Sequence, residues 1–544
     1  MAAMSPSDDL SAALAAIDPD KFLGHIRTLA SDEYEGRALG GRGEELSVQY
    51  ITEQFKAIGL QPGNPDGTYV QKVPIAGIVT QPSLTLSAGG QKRTLNYPDD
   101  FVASSARLVP EVRVDDAEIV FVGYGVVAPE YGWDDYKDVD VRGKTILMLV
   151  SDPAIPHPDD PSRLDESMFK GKAMTYYGRW TYKYEIAAKK GAAAAIIIHE
   201  TGPAGYPYSV VRSSWAKETF VVNAPDKNMG AVPVRSWITL DVARMLLADA
   251  GQDFDALKKA ALNRDFRPVE LAGARASFDI RSEVRTFESS NVLARLDGSD
   301  PAKKDEWIIY SAHWDHLGKV DDAPNPPRVY HGAVDNASGI AAVLALAQAF
   351  KALAAPVGRS ILFFAPTAEE SGLLGAKFYA EHPLYPLAKT LANINIDGVN
   401  MWGRTRDIEN MVSGHSTLDG MLAEAAARQG RVVVPDTQPE KGMFYRADHF
   451  EFAKEGIPVI YTSAGKEVIG RPAGFGQEKF DEYVTQHYHQ PSDDLDAAWD
   501  LGGAVEDTAL FFDVGYRLAT GAAFPQWNEG GEFKPKRDAM LAAE

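Results

Sequence analysis

Seven residues able to hold or move charge stand in the second half of the chain, six at the ends of short apolar runs and the seventh, His489, in a later loop. "SAHWDHLG" carries His313 and Asp315, "GAVDNASG" carries Asp335, and "TAEESG" carries Glu369 and Glu370. "NIDGVN" carries Asp397 and "HYHQPSDD" carries His489. A zinc pair needs about three to four nitrogen or oxygen donors per metal, and one carboxylate can bridge with its two oxygens. Two of these histidines and three of these carboxylates would complete such a pair and leave a place for water. Asp315, two residues past His313, is spaced to orient that imidazole from behind. Taken singly, each residue has an ordinary alternative. Glu369–Glu370 reads as a solvated turn, its like charges kept apart by water. His313 or His489 alone reads as a satisfied or surface histidine, Asp335 as a helix cap, and Asp397–Gly398 as a strand-to-turn ending. Five donors at successive strand or loop ends of one α/β unit favour the metal site over that set of separate explanations.

The elements that must position these residues alternate. "EWIIYSAH", "RSILFFAP", "LANINID" and "IPVIYTSAG" read as buried strands. "SGIAAVLALAQAFKAL", "LLGAKFYAEH" and "MLAEAAARQ" read as the helices between them. Near-continuous apolar strands alternating with helices predict an α/β sheet covered on both faces, with ligands bound beyond the carboxyl ends of its strands. Upstream, Leu46, Tyr50, Ile51, Phe55 and Ile58 recur at helical spacing, and Gly59 stands where a C-terminal cap belongs. Between lie "PSLTLSAGG", "AEIVFVGYGVV", "KTILMLVSDP" and "AAAAIIIHE", strand-like runs with one helical segment, "YKYEIAAKKG". The expected organisation is residues 1–80, a mostly β module over 81–272 with its own core, and the main α/β domain over 273–544.

At 544 residues the chain is too long for one simple core. A formal charge of −21 argues against a nucleic-acid binder, which needs a basic footprint. The chain has no cysteine, which excludes thiolate nucleophiles, cysteine zinc sites and disulfides. No run of about 18 apolar residues occurs, so no membrane-spanning helix is expected. The start, "MAAMSPSDDLSAALAAID", lacks the basic and apolar regions of a signal peptide, and its second Met reads as an expression remnant before a mature chain.

In order along the chain, "SAHWDHLG", "GAVDNASGIAAVLALA", "APTAEESGLLGAKFYAEH", "NINIDGVN", "YRADHFEFAKEGIPVIYTSAG" and "YHQPSDD" resemble the zinc-dependent aminopeptidase and glutamate carboxypeptidase family, metallopeptidase family 28. These motifs span most of 300–495. "VFVGYGVVAPEYGWDDYKDVDVRGKTILML…GAAAAIIIHE" is similar to the protease-associated domain inserted in larger members. The resemblance implies a zinc-exopeptidase fold of the phosphorylase/hydrolase-like kind, a mixed and mostly parallel sheet flanked by helices, with a mostly β insert serving as lid or access element. It implies two zinc ions, for which cobalt or manganese may substitute in vitro. His313 and Asp397 would hold one, Glu370 and His489 the other, and Asp335 would bridge. Glu369 matches the general base that takes a proton from the metal-bridging water, and Asp315 the carboxylate behind the first histidine. Tyr488 matches a donor to the developing oxyanion, and Arg446 in "YRAD" a contact to the substrate carbonyl. The bond after the bridging aspartate is typically cis, here Asp335–Asn336. One departure is Val334, where relatives often have an acidic residue; it is not a ligand. His316 and His331 read as outer-layer or surface histidines.

The partner implied is a peptide, and the expected reaction is release of N-terminal residues. A glutamate-carboxypeptidase-like enzyme is the alternative and would need a basic pocket; Arg404, Arg406, Arg431, Lys441 and Arg471 read instead as solvated surface. A glutaminyl cyclase would use one zinc, and a receptor-like binding protein would need neither ligands nor base. Family habit implies a periplasmic or secreted protein, with the cytoplasm as the alternative.

Overall fold

The computed structural model describes residues 8–320 and 328–543. The segment "DDAPNPP", whose prolines read as stiffening a loop near the cleft, lies outside them, as do the first seven residues. The chain divides into two compact units. Unit 1 comprises residues 1–73, 288–437 and 446–544, and unit 2 comprises 74–287 and 438–445. The chain passes between the units inside the strands Val70–Ala88 and Val269–Leu296, and again on either side of residues 438–445. A strand that runs on through a boundary leaves no linker composition for sequence reading to find.

Unit 1 is built on the sheet in the order Val432–Pro435, Asp407–Asn410, Val459–Ser463, Thr390–Asn395, Trp307–Ser311, Ser360–Ala365 and the end of Val269–Leu296. Its inner strands pair in parallel: Trp307–Ser311 with both Ser360–Ala365 and Thr390–Asn395, and Thr390–Asn395 with Val459–Ser463. Antiparallel pairs follow at Asn410↔Thr462 and Leu293↔Phe364. The sheet is therefore mixed and mostly parallel. Its inner strands are buried throughout, as the uninterrupted apolar runs require.

Register decides where the chemistry falls. Ser311 lies opposite both Phe364 and Asn395, so the segments that follow these three strands leave the sheet at one edge. Those segments carry His313, Glu369–Glu370 and Asp397. Behind them the helix Ser338–Lys351 is buried over nearly all its length, with the helices Pro19–Leu29, Arg42–Ile58 and Gly502–Thr520 against it. It continues the turn 333–337, and the stretch Ala333–Lys351 is long and apolar enough to cross a bilayer, yet it is a core helix here. Helix Arg42–Ile58 ends where Gly59, at φ 84°, closes it in the left-handed region that glycine tolerates.

Unit 2 has its own hydrophobic clusters around its strands. Ala194–His199, buried at every position, pairs in parallel with Thr145–Leu149 and Val234–Thr239. Glu111–Phe121 extends the sheet in parallel on one side, and Phe101–Ser104 antiparallel on the other. Helices Trp180–Lys189 and Leu240–Asp249 bring Tyr184, Ile186 and Leu246 into its hydrophobic core. Strands outnumber helices in the unit, in line with its strand-rich sequence.

Candidate metal centre

His313 is 2% exposed and leaves the strand Trp307–Ser311 by two residues. Its Nδ1–H donates to the Asp315 carbonyl at 3.1 Å, which fixes the tautomer and turns the Nε2 lone pair outward. That Nε2 lies 3.2 Å from Asp335 Oδ1, 3.4 Å from Asp397 Oδ1 and 3.9 Å from Glu369 Oε2. On the other side His489 Nε2 lies 3.2 Å from Asp335 Oδ2 and 3.0 Å from Glu370 Oε2. The two oxygens of Asp335 thus face two different imidazoles, the disposition of a bridging carboxylate.

Two donor groups result: His313, Glu369 and Asp397 in one, and His316, Asp335 and Glu370 in the other. All five expected ligands converge. Glu369 stands with the first group, farther from His313 than Asp335 or Asp397 is. His316, expected to be peripheral, is buried, and its Nδ1 lies 2.7 Å from Glu370 Oε1. It orients that glutamate or joins it as a donor; its position one residue after Asp315 was the only signal in the sequence. His331 faces Asp32 instead, Nε2 to Oδ1 at 2.9 Å.

Side chains tie neighbouring candidate segments together, among the five that carry the expected ligands. The Asp315 carboxylate is 3.7 Å from His313 Nδ1, too far for a hydrogen bond. Its oxygens are taken by backbone amides instead, accepting from Glu369 N at 3.0 Å and Glu370 N at 3.4 Å. Asp493, four residues past His489, accepts from Val334 N and Asp335 N at 3.0 and 3.1 Å. Val334 therefore contributes through its amide, whatever its side chain. Asn336 accepts from Gly398 N and donates to the Ile396 carbonyl, joining the Asp335 turn to the Asp397 strand end. The Asp335–Asn336 peptide bond is cis.

Burial acts on both adjacent glutamates, and their charged neighbours split them. It pushes Glu369 well above the usual carboxylate range; His313 opposes this, while Asp397 and Glu370 add to it. Glu370 feels the same burial and the repulsion of Asp335, but His489 and His316 outweigh them and take it down to about 2. One member of the pair holds its charge and its neighbour favours a proton. Asp448, also fully buried near the centre, has neither carboxylate oxygen hydrogen-bonded and is pushed well up by burial. It is the aspartate of "YRAD", two residues past Arg446, and no periodicity marks it as part of the centre.

Tyr488 is 45% exposed and stacks on the His489 ring at 3.9 Å between centroids. Arg446 is half-buried, with an Nε that has no hydrogen-bond partner. The other basic residues have definite places. Arg431 is buried rather than solvated: it pairs with Asp507 at 2.7 Å and donates to the Asp407 carbonyl and Thr405 Oγ1. Arg404 is held by Glu506 at 2.7 Å, and Arg471 lies over the Phe475 ring.

The donor set suits divalent cations. Asp315, Asp335, Glu369, Glu370, Asp397 and Asp448 crowd a centre with three imidazoles, and buried charge of one sign is costly until it is paired. A two-metal donor cluster is present.

Residues 291–512 match the family model of Peptidase family M28, a stretch covering less than half the chain. This region has the M28 peptidase fold. Among solved structures, an aminopeptidase from Aneurinibacillus sp. strain AM-1 aligns over 95% of this chain and 97% of its own, with 20% identity and a TM-score of 0.51. A vacuolar membrane protease of Vanderwaltozyma polyspora is 32% identical over 125 residues, covering 23% of this chain and 12% of that protein. Its counterpart in Saccharomyces cerevisiae is 34% identical over 123 residues, 23% of this chain and 11% of that protein. The chain thus spans only about an eighth of the length of these curated relatives.

Proposed function

We propose that this chain is a di-zinc exopeptidase that releases N-terminal residues from peptides. The observation that carries the reading is the Asp335 carboxylate, shared oxygen by oxygen between His313 and His489. Imidazole and carboxylate donors without thiolate suit zinc, with cobalt or manganese as substitutes. His313, Asp397 and Asp335 are assigned to one ion, and Glu370, His489 and Asp335 to the other. Bound zinc supplies Lewis acidity and lowers the pKa of water from about 16 toward about 7.

Glu369 then handles protons. Its burial favours the protonated form once it has accepted a proton, and from there it can return that proton to the leaving amine. Asp315 holds its backbone still through Glu369 N. Tyr488 is assigned to the developing oxyanion, a contact worth about 3–4 kcal/mol where such donors have been removed elsewhere. Arg446 is assigned to the substrate carbonyl. Unit 2 is assigned to the protease-associated insert, with a role in substrate access, and the protein to the periplasm or the exterior.

The aminopeptidase reading is supported over carboxypeptidase by the basic residues. Arg404 and Arg431 are already paired with Glu506 and Asp507, which leaves them poor receivers of a substrate carboxylate. The name of the Aneurinibacillus relative agrees. The test is to assay zinc-loaded protein on free-amine aminoacyl anilides beside N-acylated dipeptides. Cleavage of the free-amine set is expected; cleavage of only the acylated set would overturn the assignment.

A further inference from the structure

A turn near the N-terminus, Asp32–Arg37, reaches into the centre although no residue in it is a ligand. Glu35, Gly36 and Arg37 follow one another in the left-handed region, at φ 48°, 67° and 51°. Residues other than glycine persist there where surrounding contacts over-determine them, and such places gather at functional sites. A Cβ on Gly36 would lie 2.3 Å from the Gly318 carbonyl oxygen and 2.6 Å from that of Tyr330. The turn is pressed between the segment bearing His313 and the one leading to Asp335. His316 N donates to the Arg37 carbonyl at 3.2 Å, and Gly318 N to that of Gly36 at 2.9 Å.

The Arg37 side chain is 1% exposed and donates to four backbone carbonyls. Nε reaches Trp314 O at 2.8 Å, one NH₂ group reaches Leu29 O at 2.8 Å and His331 O at 2.6 Å, and the other reaches Gly332 O at 2.8 Å. Trp314 lies between His313 and Asp315, and Gly332 three residues before Asp335. One planar guanidinium therefore spans both ligand segments.

We infer that Arg37 is a positioning residue of the metal centre, a cationic clamp that sets the separation of the His313 and Asp335 segments without touching metal or substrate. The inference rests on the two-metal reading above. Asp335, Asp493, Asp315 and Glu370 all attract the guanidinium, and although burial lowers its pKa to about 10 it stays charged at neutral pH. It balances part of the acidic cluster from behind while its fork fixes geometry. Lysine, a point charge on a flexible stem, cannot bridge the same carbonyls in one plane.

Arg537 supplies the control. It is equally buried and also donates to carbonyls, those of Leu387 and Thr390, but Thr390 begins its strand at the end away from Asp397. The experiment compares wild type, Arg37→Lys, Arg37→Met and Arg537→Met by zinc affinity in chelator competition, kcat at saturating zinc, and urea unfolding. Both Arg37 variants should bind zinc about 10- to 100-fold more weakly, as removal of outer partners of metal ligands does, and show lower kcat. Arg537→Met should unfold at lower urea with its zinc affinity unchanged. If Arg37→Met does not fold, Arg37→Lys decides. Wild-type zinc affinity in the Arg37 variants, or an equal loss in Arg537→Met, overturns the inference while leaving the two-metal reading intact. A wild-type protein that binds no zinc overturns both.

Discussion

Two adjacent glutamates illustrate how position, rather than residue type, divides a task. Glu369 and Glu370 share a strand end and a common amide anchor in Asp315, yet their surroundings pull their acidities apart. Glu370 meets two imidazoles, which hold it ionised, the state its proposed role as a ligand needs. Glu369 is buried beside Asp397 and Glu370 with His313 opposing them, and so favours a proton, the state its proposed role as a base needs once it has acted. Glu369→Ala should accordingly keep its metal content while kcat falls by about 10²–10⁴-fold. Metal analysis alongside steady-state kinetics checks this, and loss of zinc in that variant would mean the two roles are exchanged.

Among the elements, the parallel strands and the helix Ser338–Lys351 were legible in the sequence because their apolar runs are local and continuous. So was the end of helix Arg42–Ile58 at Gly59. His313, Glu369, Glu370 and Asp397 could be picked out because each stands just past such a run, whereas Asp335 stands in a turn and His489 in a loop. What was not legible is the bracing: Arg37 reaches Trp314 and Gly332 across 277 and 295 residues, and Asp493 reaches Asp335 across 158. A single hydrogen bond of that span leaves no periodicity. Helix Pro19–Leu29 offers a prediction at this scale. It buries His25, whose Nδ1 lies 2.7 Å from the Tyr50 hydroxyl, and burial together with Lys21 lowers its pKa to about 4. A histidine depressed in the folded state is protonated first in the unfolded chain. Its stabilising contribution is therefore present above about pH 6.5 and lost as the pH falls toward 4, by about 3 kcal/mol in all. Urea unfolding from pH 7 to 4 should show a shallower acid loss for His25→Gln than for wild type; equal slopes would refute it.

For the whole molecule, the −21 charge and the acidic centre point the same way. Unit 1 gathers carboxylates at one sheet edge and, among its described residues, answers them with three imidazoles and the Arg37 clamp, a balance that two divalent cations would complete. The split between the units was less legible than the centre itself, since Val269–Leu296 carries the chain through the boundary without a break. The central claim is that Asp335 joins two metal positions into one site. Metal analysis of zinc-loaded protein, wild type beside Asp335→Asn, tests it most directly. Two zinc ions per chain in the wild type, with both weakened in the variant, is the predicted result; one or none in the wild type would contradict it.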